Sequence, residues 1–308
     1  MKKYDVLVYG PIFCDLIFTG LESFPVLGHE IFSKDFTLTI GGSAIVSHGL
    51  HRLGARVGLI ADIGNDPISN LIWEILGDLK IDRTLIRKHE LPLRKLTLAL
   101  SYPNDRAFVT HVDRINEPQN FTEIFKQTSA QHLHLCSLLT ILDNSNVIQQ
   151  AHASRLSVSM DPGWEESALA APEFLKIIKE LDIFLPNESE VCQIAGRDQP
   201  DRAAEFVFSQ MLDGLLVVKQ GAKGAVAYSK HSPQGYRTPA LPVDPVDTTG
   251  AGDSFDAGFL FANLKNQDLK TCMKTGTICG SLSTTQIGGI AGFPTWKEVD
   301  KWLQKLPS

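Results

Sequence analysis

The 308-residue chain has no block of like charge, no internal repeat, no low-complexity linker and no apolar run of the roughly 18 residues that a membrane-spanning helix needs. Its formal charge of −6 and pI near 5.8 leave no basic surface of the kind that holds nucleic acid. Cysteine is scarce and scattered, at positions 14, 136, 192, 272 and 279, with no C-x-x-C pair. That excludes a disulfide framework and predicts buried free thiols in a reducing, cytoplasmic setting. The dinucleotide fingerprint is missing as well: Gly10-Pro11-Ile12-Phe13-Cys14-Asp15, after the first apolar run, has one glycine, which argues against a nicotinamide-dependent oxidoreductase. Asp5 interrupts the apolar stretch behind Met1-Lys2-Lys3 and no small-residue cleavage pattern follows, so Val6–Tyr9 reads as a strand rather than a signal peptide.

What is present is an alternation of short apolar runs with turn residues. Asp5–Tyr9 and Val57–Ile60 read as buried strands, while Ser43–Leu53 and Pro67–Leu79 carry helical spacing. Glu30–Ile40 alternates like a strand with one exposed face. Leu96–Tyr102 and Ala107–Val112 flank the polar turn Pro103-Asn104-Asp105-Arg106 in a hairpin pattern. Beyond these, His132–Leu135, Leu156–Met160, Ile183–Leu185 and Leu215–Val218 are separated by segments of helical length, which predicts βα units and a parallel sheet. Ligands on such sheets bind at the carboxyl ends of strands. Asp161, Asn187 and Lys219 each follow an apolar run closely enough to meet there.

The densest stretch is Val246-Asp247-Thr248-Thr249-Gly250-Ala251-Gly252-Asp253-Ser254-Phe255. It joins a Pro-bounded apolar segment to Ser254–Leu264, which reads as a helix. A helix start has N–H groups without intrahelical acceptors and the positive end of the macrodipole, and small residues let an anion approach them. Gly250, Ala251 and Gly252 stand at that transition, and Asp253 at the edge of the resulting anion pocket. A carboxylate beside an anion is unfavourable unless it works, and taking the proton of an attacking hydroxyl is work that fits. The plainer reading is a glycine turn with an Asp N-cap.

In this string the chain resembles the PfkB, or ribokinase-like, carbohydrate and nucleoside kinases. Their signature D-T-x-G-A-G-D-x-F is met at every fixed position from Asp247 to Phe255. Other landmarks follow in the family's order: Gly10 with Asp15, Gly41-Gly42 before Arg52-Leu53-Gly54, Ile63-Gly64-Asn65-Asp66 and Asp161-Pro162. Then come Asn187-Glu188-Ser189-Glu190, Gly221-Ala222-Lys223-Gly224, and Gly288-Gly289 before Pro294-Thr295. The resemblance covers essentially the whole chain. It implies an α/β protein: one ribokinase-like domain over 1–308, a three-layer αβα sandwich with a mostly parallel central sheet. A small β-sheet lid would enter at about 12–19, 30–40 and 94–113. It further implies Mg2+-dependent phosphoryl transfer from ATP to a hydroxyl of a sugar or nucleoside, and is compatible with a homodimer through the lid.

The resemblance also implies roles. Asp253 is the general base, with Gly250, Ala251 and Gly252 as anion hole, and Asp15 with Gly41 and Gly42 orients the sugar. On the ATP side stand Asn187, Lys219, Gly221, Gly224, Gly252 and Thr277. Glu190 acts on Mg2+ through water, which suits an ion that sheds its hydration reluctantly; Asn187 and Glu190 equally make an N-cap and N3 pair. Lys219 replaces the family's usual Thr and either meets a phosphate as a point charge or points to solvent. Asp247 and Thr249, with carbonyls of Thr284, Ile287 and Gly289, match a monovalent-cation site for K+, while Asp247 also suits a turn bonded to itself.

Departures from the family gather at the acceptor. An Asn commonly follows the glycine pair, but Ser43-Ala44-Ile45-Val46-Ser47-His48 has none. Ile45 or Val46 takes its place, and Ser47 or His48 is a polar substitute unless His48 is a packed helix residue. Cys136-Ser137 stands where ribokinase-type members have a Glu. Ribose is therefore not singled out. A sugar or sugar-like acceptor is expected, with a nucleoside as the alternative. A phosphosugar would need a lid-side basic pair from Arg94, Lys95 and Arg106. A non-catalytic relative has no need of an intact Asp253.

Overall fold

The computed structural model describes residues 1–102, 106–115, 117–142 and 144–306. Among them, nine strands form the main sheet, in the order Ser232–Thr238, Ala225–Ser229, Leu215–Lys219, Ile183–Phe184, Ser157–Met160, His132–Leu135, Val6–Tyr9, Val57–Ile63, Ile86–Lys88. The strands from Leu215–Lys219 onwards run parallel, and the two at the other edge are antiparallel. Parallel strands are covered on both faces, and Val6–Tyr9 and His132–Leu135 are accordingly buried throughout. On one face Val6, Val8, Ile183 and Val217 pack with Phe255, Phe259 and Ile278 of the helices Ala251–Leu264 and Leu269–Ser283. On the other, Leu7, Leu133, Val158 and Phe184 pack with Phe174, Val191 and Val207. The parallel sheet expected from the alternation is present, as are the three layers that the resemblance implies.

One polar row interrupts the first of these cores. His132 sits opposite Ser157 and His134 opposite Ser159 in parallel register. His132 spans Ser157 Oγ (2.7 Å) and Ser159 Oγ (2.6 Å), and His134 Nδ1 lies 2.7 Å from Ser159 Oγ. Burial lowers both imidazoles, to about 3 and about 4, so they are neutral. The row ends one residue short of Asp161 and the site.

The lid is a second sheet, ordered Asp35–Gly42, Ile12–Thr19, Lys95–Ser101, Arg106–Val112. Asp35–Gly42 begins five residues later than Glu30–Ile40 predicted and runs on past it to Gly42. The reason is register: Asp35 pairs with Thr19, where the partner strand ends, and the chain turns at Gly20 with φ 69°. The hairpin turn residues 103–105 lie outside the described residues. At the strand's far end Gly42, with φ 64°, hands over to the helix Ser43–Leu53, and a side chain there would press on the Pro11 carbonyl.

Candidate active site

The strand ends converge as the parallel topology requires. Asp161 follows Met160, Lys219 closes its strand, and Asn187 bridges to Lys219 in parallel. The helix expected from Ser254 instead begins at Ala251, with Gly250 as its N-cap in the left-handed region at φ 70°. Asp253 is therefore not the cap but lies inside the first turn. A Cβ on Gly250 would meet Gly289 Cα and Ile45 Cδ1, each at 2.8 Å, so glycine is required for space as well as for φ.

Lys219 does not reach solvent. Its Nζ donates to Asp161 Oδ2 at 2.6 Å and to Asp256 at 3.0 and 3.2 Å, and the residue is 9% exposed. Burial works against its charge, but Asp161 and Asp256 outweigh burial and hold the ammonium above its ordinary pKa. Asp161 is held below its usual range, since Lys219 overcomes the effect of burial. Asp256, fully buried, is driven well upward by burial and by Asp161, against the pull of Lys219. Of the two holders, Asp161 is the one whose charge its surroundings favour and Asp256 the one whose charge they disfavour. Burial, then Asp161, raises Asp253 to about 7, although its side chain remains partly accessible at the mouth of the site. Glu190 rises to about 7 for the same two reasons.

Asn187 and Glu190 form a complete capping box: Asn187 Oδ1 accepts from the Glu190 N–H at 2.9 Å, and Glu190 Oε2 from the Asn187 N–H at 2.7 Å. The cap uses one carboxylate oxygen, which leaves the other for the site. In the next loop Gly221 and Gly224 have φ 56° and 100°, and the Gly224 carbonyl accepts from the Gln220 N–H at 2.8 Å. A surface groove of about 500 Å3 lined by Glu188, Gln220, Lys223, Arg237 and Thr238 flanks this loop, away from Asp253. Thr277 is buried and its hydroxyl donates to the Lys274 carbonyl at 3.0 Å, so it presents no unused polar group.

On the lid side Asp15 is buried, and burial lifts it to about 6 against a hydrogen bond from Thr97, with Asp247 adding to the rise. A Cβ on Gly41 would collide with this carboxylate, which explains the first glycine of the pair. Val46 is wholly buried in the core. Ser47 Oγ and both His48 nitrogens are buried without a hydrogen-bond partner among the described residues, and His48 stands edge-on to Phe293. Of the four, Ile45 packs against Gly250 and Gly289 at the anion turn.

Asp247 holds its own loop. Oδ1 accepts from the Thr249 N–H and hydroxyl at 2.9 and 2.8 Å, and Oδ2 from the Gly288 N–H at 2.8 Å. The Thr284 carbonyl already takes the N–H groups of Val246 and Asp247. Arg106 reaches from the lid to Thr249 Oγ1 at 3.1 Å and stands 3.5 Å from Asp247. Of the oxygens expected to hold K+, those of Asp247, Thr249 and Thr284 already carry hydrogen bonds, with a guanidinium beside them, and no step is assigned to K+. For Mg2+ the donor set fits: Asp161, Asp253, Asp256 and Glu190 surround one ammonium, a surplus of carboxylate that a cation relieves. Among the described residues no three acidic, Cys or His side chains are placed to hold a metal unaided, so such an ion would keep water and nucleotide oxygens.

Asp256 was not legible as a site residue, and Arg106 was raised only as one of three lid cations, not as a partner of Asp247 and Thr249. Asp256 had one signal, a charge within the apolar run Phe255–Phe261 three residues after Asp253, which places both on one helix face.

An ATP-dependent ribose-1-phosphate kinase of Halopiger xanaduensis is 29% identical over 269 residues, covering 86% of each chain. A cytidine kinase of Thermococcus kodakarensis is 27% identical over 85% of this chain and 93% of its own. The solved ribokinase of Arabidopsis thaliana, complexed with ribose and ATP, superposes with a TM-score of 0.82 at 22% identity over 99% of both chains. The sequence profile of the pfkB family carbohydrate kinases matches residues 3–296, and with the signature turn and the two sheets in place the chain belongs to that family.

Proposed function

We propose that this kinase transfers the γ-phosphoryl group of ATP to a hydroxyl of an uncharged sugar or sugar-like acceptor lying between the lid and the carboxyl end of the main sheet. The observation that carries this reading is Asp253 in the first turn of Ala251–Leu264, behind a side-chain-free turn and within electrostatic reach of Asp15. Asp253 takes the hydroxyl proton as the oxygen attacks. The N–H groups of Gly250, Ala251 and Gly252 stabilise charge growing on the phosphoryl group. Asp15, against the bare Gly41 backbone, orients the acceptor. Glu190 would hold a nucleotide-borne Mg2+ through water, and that ion would neutralise phosphate charge. Five free cysteines support a cytoplasmic location.

The lid cations favour an uncharged acceptor. Arg94 is paired with Asp113 at 2.8 Å, Lys95 donates to the Asp62 carbonyl at 3.0 Å, and Arg106 is engaged by Thr249 and Asp247. No basic pair remains among them for an acceptor phosphate. A coupled ADP-release screen over free sugars, nucleosides and sugar phosphates tests the reading. Turnover on a free sugar is expected; turnover confined to a nucleoside or to a sugar phosphate would replace it.

A further inference from the structure

We propose that Asp256 is a positioning residue of the transfer site: with Asp161 it fixes the Lys219 ammonium beneath the Gly250–Gly252 turn, where that ammonium meets the phosphoryl group in transit. A lysine head on four rotatable bonds is a mobile point charge unless its donors are engaged. Here the ammonium is held from two sides, by Asp161 at 2.6 Å and Asp256 at 3.0 Å. Both holders are themselves fixed. Asp161 Oδ1 accepts from the Gly163 N–H at 2.9 Å, and Asp256 is fully buried in the second turn of the helix that starts the anion hole. The missing side chain of Gly252 completes the arrangement, since a Cβ there would point at Lys219 Nζ from 3.5 Å. The Lys219 side chain is what lies nearest that face of Gly252. A cation fixed in advance stabilises developing charge without reorganisation at the moment of reaction.

The inference rests on Asp253 as base, and an Asp253→Asn enzyme that kept its turnover would fail that reading alone. The test is a set of kcat and KM values, with thermal unfolding of each protein, for Lys219→Met, Asp256→Ala, Asp256→Asn and the Lys219→Met/Asp256→Ala double variant. Lys219→Met is expected to lose about 10²–10³-fold in kcat, the range of a lost oxyanion donor. Asp256→Ala is expected to lose roughly 10–100-fold in kcat, with the acceptor KM little changed in both. Asp256→Asn should recover most of the loss, because its amide oxygen still accepts from the ammonium. The double variant should be no slower than Lys219→Met, since nothing is left to position. Multiplying losses in the double variant, or an Asp256→Asn variant as slow as Asp256→Ala in folded proteins, would overturn the proposal. Should Asp256→Ala not fold, Asp256→Leu, similar in volume and without a polar atom, takes its place in the cycle.

Discussion

At the carboxyl end of the main sheet Asp161, Asp253, Asp256 and Glu190 crowd around the one ammonium of Lys219, under helices that keep bulk water away. In the lid, charges pair off at the rim, as Arg94 does with Asp113, while Phe36, Phe108 and Val109 stay exposed. The difference follows from architecture. A parallel sheet covered on both faces makes every polar group at its end interact strongly with its neighbours, so few groups with displaced pKa values do the chemistry. A single uncovered layer holds charge in water, where a pair contributes little. Among the described lid residues Asp15 and Lys95 are the buried charged groups. Under the function proposed above Asp15 would recognise the acceptor, so that transfer and acceptor choice would lie in two sheets of different physical character.

The largest effect should come from breaking the covered side. Asp253→Asn is expected to lower kcat by about 10²–10⁴-fold with ATP affinity little changed, as for loss of a general base. In the unmodified enzyme kcat should fall towards tenfold per unit below about pH 7, because protonated Asp253 accepts no proton. Steady-state rates from pH 5 to 9 check both statements, and a flat profile would remove Asp253 from the mechanism.

On the lid side, a hydrogen bond from a hydroxyl to a carboxylate contributes roughly 1.5–3 kcal/mol, so Asp15→Ala should weaken kcat/KM for the acceptor by about 10–150-fold. The KM for ATP should stay within a factor of about two, which competition assays at fixed acceptor would show. Gly41→Ala sharpens the point. Its methyl displaces the Asp15 carboxylate, so it should raise the acceptor KM in the same direction while Asp15 itself is intact.

Stability separates the two sheets more gently. Glu190 and Asp253 have folded-state pKa values raised to about 7, so the native state binds more protons than the unfolded chain between about pH 4 and 7. These groups therefore cost increasing stability as pH rises through that window. Glu190→Gln keeps the capping geometry and removes the charge. It should raise the melting temperature at pH 8, leave it nearly unchanged at pH 4, and increase the Mg2+ concentration needed for half-maximal rate. A drop in stability at both pH values with unaltered metal dependence would make Glu190 a cap and nothing more. The smallest effect belongs to the outer lid. If the lid pairs two copies of the chain, Phe108→Ser should lower the mass seen by light scattering and hardly alter kcat.

Much of this arrangement was legible in the linear chain because it depends on local rules. Helix Ser43–Leu53 came from spacing, the parallel strands from apolar runs, and the anion turn from three small residues before an Asp. Asn187 and Glu190 were legible as a capping pair because a cap is made within four residues. The true start of the catalytic helix was not, since Gly250 caps it through a left-handed turn that Ile45 and Gly289 enforce from elsewhere in the chain.

Long-range pairing set the rest. Lys219 and Asp256 are 37 positions apart and Lys219 and Asp161 are 58 apart, so no pattern in sequence shows that each satisfies the other. The sequence left Lys219 between solvent and phosphate; burial, Asp161 and Asp256 took it out of solvent and fixed it beneath the turn. In the same way the sequence left Ile45, Val46, Ser47 and His48 equal, and packing turned Val46, Ser47 and His48 into the core while setting Ile45 against the turn. The sequence by itself determined the parallel strands, the signature loop and the position of the proposed base, because periodicity, glycine freedom and helix-end electrostatics act over a few residues. Tertiary structure alone decided which charges share a buried site, because burial and Coulomb interactions depend on distance in space.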